Sequence, residues 1–419
     1  MTVTGSQFSE ATPSVEWLSQ FSKQDRVLAA ELLDAMTVIS SDSFDKEMSN
    51  LVEHRAGKLK GHIGLFIERE TKETQKKPQV PLFQEGLSDG RMRAFGKGPP
   101  LLLEREDGKQ EAGSEALLAL IATKLKRKHP DTFTVLPGPD LIREKQIRNV
   151  IILTDFIGSG NRIADYLEAA WTISSVKSWH SLKWFHFEVV AFSATNRGLK
   201  MTKQHPSRPK VSIVRPCPTI DSEFPAPSLV KELCIRYDPL KKGDPLGFDG
   251  TGSLIAFAHG CPNNAPRILH KTSKDWQPLF PARVTDSLRA EFNRVENKPV
   301  IDRMERLRDK VLSQPGWEGF TSIEGQSLLL VLSGLQKGSR KPDILSRKTG
   351  LTVPEIKMII EKMQNWGWTN SKGTLTDEGQ GVLRHAKKYA QDLVNRRNGT
   401  RCSHNDNFYF PSSLRMPHG

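Results

Sequence analysis

The residues best suited to chemistry run from Asn149 to Ile163, reading Asn-Val-Ile-Ile-Leu-Thr-Asp-Phe-Ile-Gly-Ser-Gly-Asn-Arg-Ile. The continuous apolar, β-branched run at Val150–Leu153 predicts a buried strand. That strand delivers an acid, Asp155, towards a tight Gly158-Ser159-Gly160 turn, and a helix follows from Asn161 and Arg162. The order places backbone N–H groups and a hydroxyl at a helix N-terminus, where the dipole favours a phosphate. Small residues let the backbone approach such an anion closely. Asp155, just ahead of the turn, is placed to accept hydrogen bonds from sugar hydroxyls or to orient Mg²⁺. A plain βα turn that happens to use Gly and Ser is the alternative.

Two weaker constellations accompany the turn. Gly113-Ser114-Glu115 opens a helix and suits a pyrophosphate loop, although Ser114 serves equally as an N-cap. Further on, a Gly-rich segment (residues 247–253) leads into an apolar strand, Leu254–Ala258, and then into His259, Asn263 and Asn264. Loops at strand C-termini bind ligands in doubly wound sheets, so His259 and Asn264 are candidates to face a base or a pyrophosphate. Asn263 fits a simple turn better.

Other chemistries lack their residues. No HExxH, EF-hand, Walker A or GxSxG pattern occurs. Cys217, Cys234, Cys261 and Cys402 show no metal-ligand spacing and are expected to be free thiols in a reducing compartment. No dedicated metal site is expected. No run of about 18 apolar residues exists and the polar N-terminus lacks a signal-peptide core, so a cytoplasmic protein without a membrane span is expected.

Positioning these residues requires an α/β scaffold. Strands are expected at Ile63–Glu68, Leu101–Glu104, Val150–Leu153, Phe185–Phe192, Val211–Val214 and Leu254–Ala258, with helices at Asp45–Lys60, Ser114–Arg127 and from the glycine turn through Ala169. Strands alternating with helices imply a parallel sheet with helices on its faces. Ahead of it, Trp17, Leu18, Phe21, Val27, Leu28, Leu32 and Leu33 recur at helical spacing, predicting one amphipathic helix over Glu16–Ser40. The polar stretch Arg69–Pro100, with its Gly and Pro, reads as loop or poorly ordered chain. Trp179, Trp184, Phe185 and Phe187 are expected in the core, with stacking on a base as the alternative.

The C-terminal part reads differently. Helices at Gln326–Leu335, Pro342–Thr349 and Val353–Trp366 precede a short hairpin and a closing helix from Asp377. Thr352-Val353-Pro354-Glu355 is a capping box with proline in the first turn, and Gly350 ends the preceding helix. The pair therefore reads as helix–turn–helix inside a winged helix. Arg340, Lys341, Lys357, Lys362 and wing Lys372 are the candidate nucleic-acid contacts, while Glu355 and Glu361 temper that face. With 61 Lys and Arg against 48 Asp and Glu, the net charge of +13 favours a polyanionic partner. Protein docking is the other use of such a module.

The residues 149–163 resemble the signature of type I phosphoribosyltransferases, whose loop grips the 5′-phosphate of phosphoribosyl pyrophosphate (PRPP). On that resemblance Asp155 matches the second acid, Ser159 the phosphate-binding hydroxyl and Gly160 the loop glycine. Thr154, Asn161 and Arg162 depart from it, standing where an acid, a glycine and a threonine are expected. Residues 254–271 and 276–283, "GSEALLALI" (113–121), the Trp17/Phe21 helix and the terminal "FYFPSSLR" (408–415) resemble phosphoribosyltransferase-like effectors of bacterial retron anti-phage systems. The resemblance implies a toxic effector that a reverse transcriptase and its RNA–DNA hybrid restrain until infection. It also implies Mg²⁺ alongside PRPP or a nucleotide, and a glycosyltransferase-type activity that the missing acid at Thr154 puts in question. A ligand-sensing transcriptional regulator with a degenerate transferase domain is the alternative, and the oligomeric state stays open. The expected layout is a helical segment (1–60), the phosphoribosyltransferase-like domain (61–282), a linker helix (283–320), the winged helix (321–392) and a tail (393–419).

Overall fold

Nine short strands and their connecting helices emerge in the computed structural model, which describes residues 7–69, 81–88, 90–101, 114–296 and 299–397. The described chain divides into two compact units, one ending at Glu296 and one beginning beyond it.

In the first unit the strands are β1 (Thr37–Ile39), β2 (Ile63–Ile67), β3 (Gln84–Ser88), β4 (Arg91–Phe95), β5 (Phe133–Val135), β6 (Asn149–Ile157), β7 (His186–Ala194), β8 (Lys210–Pro216) and β9 (Ile255–Phe257). Five of them form one parallel sheet in the order β5-β2-β6-β7-β8. The unbroken apolar runs in β2, β6 and β7 follow from burial on both faces, which a parallel sheet covered by helices imposes. The chain order reverses between β2 and β6, so the carboxyl ends of these two strands define the switch point where ligands bind in such sheets. The amide of Glu68 donates to Leu153 O at 2.8 Å, tying the two strand ends together there.

Beneath the sheet, helices Ser41–Ala56 and Ser114–Lys128 turn Phe44, Met48, Leu118, Ile121 and Leu125 inward. Arg55 on the first of these forms a bidentate pair with Glu188 of β7, at 2.9 and 2.8 Å, with both side chains almost fully buried.

Several expectations need correction. The predicted single helix over Glu16–Ser40 is two helices, Thr12–Leu18 and Lys23–Asp34, followed by β1. Ser22 caps the second by accepting from the amide of Asp25, so a new helix starts where periodicity alone suggested continuation. The expected loop Arg69–Pro100 contains the antiparallel β3–β4 hairpin. The strand at Leu254–Ala258 does not join the central sheet. As β9 it pairs in parallel with β1, and the two cover a second core that includes Trp17, Phe21, Leu254 and Trp276. Trp184 is exposed and Trp179 half-buried, while Phe185 and Phe187 are in the core. The strand expected at Leu101–Glu104 lies, beyond Leu101, outside the described residues.

In place of one linker helix there are two short helices. Arg289–Glu296 belongs to the first unit, where Phe292 packs with Phe8, and Val300–Arg306 belongs to the second. The second unit has the expected helices Ile323–Gln336, Pro342–Thr349, Val353–Asn365 and Asp377–Arg397. An antiparallel bridge between Thr369 and Leu375 forms the wing. The capping box is reciprocal: Glu355 N donates to Thr352 Oγ1 at 3.2 Å and Thr352 N to Glu355 Oε2 at 2.7 Å. Gly350 adopts φ +71°, the left-handed turn that ends a helix. Trp317, Leu328, Leu332 and Ile356 are among the side chains of its core.

Candidate functional site

The turn after β6 is held from behind by its neighbours. Thr195 Oγ1 donates to Gly158 O at 2.6 Å and Thr195 N to Ile157 O at 3.0 Å. Gly198, in the first turn of helix Asn196–Gln204, lies against the same carbonyls, where a Cβ would come within 2.5 Å of Gly158 O. On the other side the Asn264 side chain rests on Gly158, with its Oδ1 only 2.3 Å from where a Cβ would sit. Gly160 has φ +92° and N-caps helix Asn161–Trp171, a conformation open to glycine at little cost.

Packed in this way, the turn is buried, and two of its three residues carry no side chain. Among the described residues no acceptor meets the amides of Gly158, Ser159 or Gly160. The Ser159 hydroxyl accepts from Asn161 N at 3.4 Å and retains its own proton to donate. Helix Asn161–Trp171 is eleven residues long, so its dipole adds to these amides.

Asp155 lies near the end of β6 and is the centre of a charged cluster. Its Oδ1 accepts from Phe156 N at 2.8 Å, and His259 Nε2 approaches Oδ2 at 3.4 Å. Burial works to raise the carboxyl pKa, but the hydrogen bonds from His259 and Ser114 and the charge of Arg162 outweigh it. Together they bring the carboxyl down to about 2. Ser114 therefore reaches the site from the start of helix Ser114–Lys128, and Glu115 beside it is close enough to act on Arg162. Gly113 lies outside the described residues.

The residue that sequence reasoning missed is Glu68. It follows β2 directly and its carboxylate is 1% exposed. Thr154 Oγ1 donates to its Oε2 at 3.1 Å, and Arg162 Nε pairs with its Oε1. Burial and the nearby charge of Asp155 push the Glu68 carboxyl up, against the pull of Arg162 and Thr154. Thr154, the position lacking the first acid, thus directs its hydroxyl to a carboxylate supplied by the next strand. The available signal was an acid ending a strand predicted at Ile63–Glu68. Only the adjacency of β2 and β6 gives that acid meaning.

Arg162 is anchored by Glu68 through Nε, and its side chain remains 48% exposed. His259 packs against both Phe44 and Phe257, with ring centroids at 4.8 and 4.9 Å. Asn264 does not point into the site as a free ligand. Its Nδ2 donates to Phe248 O at 3.1 Å and Thr251 Oγ1 at 3.0 Å, fastening the segment 247–252 beside the turn. Asp155, Gly158, Ser159, Gly160, Asn161, Arg162, Ser114, Glu115, His259 and Asn264 are all brought to this one end of the sheet. Among the described residues no group of three or more His, Cys, Asp or Glu side chains could hold a metal ion.

In the second unit Arg340, Lys341, Lys357 and Lys372 are exposed and Lys362 is half-buried. Lys357 is flanked on the helix by exposed Glu355 and Glu361, so this face is mixed in charge. No helix among the described residues is long and apolar enough to cross a membrane.

Comparison with known proteins agrees with this division. The family model PRTase-CE matches residues 15–282, and the model described as wHTH-PRTase associated matches residues 329–416. No curated protein and no solved structure matches the chain.

Proposed function

The chain belongs to the PRTase-CE family, and from that premise we propose that its α/β domain binds a phosphorylated ribose ligand, PRPP or a nucleotide, at the turn after β6. One observation carries the reading: three consecutive amides, Gly158 to Gly160, stand without acceptors at a helix N-terminus beside Asp155. A 5′-phosphate would satisfy them, with the Ser159 hydroxyl and Arg162 adding donors. Asp155, ionised throughout the neutral range, would accept from the ribose hydroxyls. Mg²⁺ would arrive on the pyrophosphate of the ligand, whose charge it neutralises; the acids here fit that role better than a resident metal site.

The C-terminal winged-helix-type domain would dock nucleic acid through Arg340, Lys341, Lys357, Lys362 and Lys372. The role of the whole protein would be that of a toxic effector in an anti-phage retron system, restrained by a reverse transcriptase and its RNA–DNA hybrid. What supports this is the resemblance of residues 254–271 and 276–283 to such effectors, together with the pairing of the two family modules. Calorimetric titration of PRPP with Mg²⁺ into wild type and Asp155→Ala tests the ligand: binding in the first and its loss in the second is expected. Absence of binding to wild type would remove the reading. In cells, killing by wild type that Asp155→Ala leaves unchanged would remove the catalytic form of the effector role.

A second reading, a ligand-sensing transcriptional regulator, is favoured by one observation. The Thr154 hydroxyl is spent on Glu68, so β6 offers the site only one carboxylate. An operator footprint that changes with PRPP would favour this reading, and failure to bind any duplex at low salt would exclude it.

A further inference from the structure

His259 differs from a core histidine in one respect. The ring meets Phe44 edge-on and stacks on Phe257 at an interplanar angle of 23°, and these two phenyl rings also touch one another. Its Nε2 faces Asp155 Oδ2. Its other nitrogen, Nδ1, has no hydrogen-bond partner among the described residues and is not sealed from solvent. His270 offers the contrast within the same domain: its Nε2 bonds Ala265 O, and its Nδ1 is buried with no partner among the described residues. His270 is packed away, whereas the His259 side chain, 9% exposed, keeps Nδ1 from full burial while Nε2 faces Asp155.

We propose that His259 and Asp155 form a proton-accepting dyad, with His259 Nδ1 as the general base of this site. An ionised carboxylate facing Nε2 fixes the proton on that nitrogen and leaves the Nδ1 lone pair for the reaction. The same carboxylate then stabilises the imidazolium that forms. A separation of 3.4 Å is at the long end of hydrogen bonding, as catalytic contacts commonly are before ligand tightens them. The inference rests on the ligand reading above and specifies what the bound ligand undergoes.

Water serves as the acceptor. The water oxygen forms a bond to ribose C1′ of PRPP while one of its O–H bonds breaks. The C1′–O bond to pyrophosphate breaks, and its electron pair leaves with the pyrophosphate. The proton passes to His259 Nδ1 and from there to bulk solvent. The products are ribose 5-phosphate and pyrophosphate, and no further reagent is needed. An acceptor N–H or O–H in place of water would give transfer by the same proton path.

The full-length protein with PRPP and Mg²⁺ provides the test, reading pyrophosphate release and calorimetric affinity on the same samples. In His259→Asn and His259→Gln, release is expected to fall about 100-fold or more with affinity changed little. Wild type that binds PRPP but releases no pyrophosphate, or variants that release it at the wild-type rate, would overturn the dyad and leave the binding reading standing. Wild type that does not bind PRPP would overturn the binding reading and the dyad with it. As a readout independent of turnover, ¹⁵N spectra of the histidine side chains should show His259 as the Nε2–H tautomer, assigned by its disappearance in His259→Asn. The Nδ1–H tautomer would refute the proposal.

Discussion

Replacing Gly198 by alanine should destabilise the α/β domain, against the ordinary expectation for a glycine inside a helix. Gly198 lies in helix Asn196–Gln204, and Gly→Ala in a helix normally gains about 1 kcal/mol. Here the added methyl would meet Gly158 O at 2.5 Å, Ile157 O at 2.7 Å and Ile157 Cγ2 at 2.9 Å. Two of these neighbours are backbone at the phosphate turn, fixed by β6 and by Thr195, so they cannot swing aside as a flexible side chain would. Forcing a methyl into such a site costs roughly 1–3 kcal/mol. After the helix gain, a net loss of about 1–2 kcal/mol is the expected upper range. In a domain of this size that lowers the melting temperature by about 2–8 °C. The turn must also shift, so PRPP affinity should weaken. Gly381 supplies the internal control. It lies in helix Asp377–Arg397, where a Cβ would meet nothing within 4 Å. Gly381→Ala should therefore stabilise its own unit by about 0.5–1 kcal/mol. Thermal denaturation of both variants, followed with a probe for each unit, checks the pair of signs. A Gly198→Ala protein that melts at or above wild type would refute the claim that the turn and this helix leave no space between them.

Other consequences are equally direct. Arg55→Ala leaves Glu188 buried without its bidentate partner and should cost about 3–5 kcal/mol by chemical denaturation; a cost below about 1 kcal/mol would mean that the pair is not desolvated in solution. His270 is held down to about 4, chiefly by burial and further by Lys271, Arg283 and Arg267. A histidine depressed in the folded state stabilises above its unfolded pKa of 6.5, so stability should be full above that pH and fall by about 3 kcal/mol as pH drops towards 4. His270→Gln should flatten this part of the pH–stability curve, and an unchanged slope would count against it. In the winged-helix-type domain, Lys341→Glu with Lys357→Glu should weaken duplex binding and reduce its salt dependence by about one phosphate contact per lysine. Undiminished binding would move the interface elsewhere.

Local signals carried the turn and the helix–turn–helix. The β-branched run before Asp155, the Gly-Ser-Gly turn and the capping box at Thr352 each depend on residues within a few positions of one another, and each appears where the sequence places it. What escaped depended on distant partners. β1 and β9 are three residues each and pair across more than two hundred positions, too short to show alternation and too far apart to be linked by pattern. The hairpin β3–β4 carries Gly86 and Gly90 and is mostly exposed, mixing Glu85, Arg91 and Arg93 with Leu87, Met92 and Phe95, so composition resembles loop. Ser22 interrupts an otherwise continuous apolar period, and only its side-chain cap shows that one helix ends and another begins. Glu68 became part of the site because the sheet order sets β2 beside β6. A strand-ending acid has no partner in sequence, but across the switch point it meets both Thr154 and Arg162.

The central claim is that the turn after β6 is an anion site built from backbone amides. Titration of ribose 5-phosphate into ¹⁵N-labelled protein, followed at the backbone amides of Gly158, Ser159 and Gly160, tests it most directly. A saturable downfield shift of these three amides, abolished in Asp155→Ala, is the predicted result. Amides that stay unmoved while the ligand binds elsewhere, or does not bind, would contradict it.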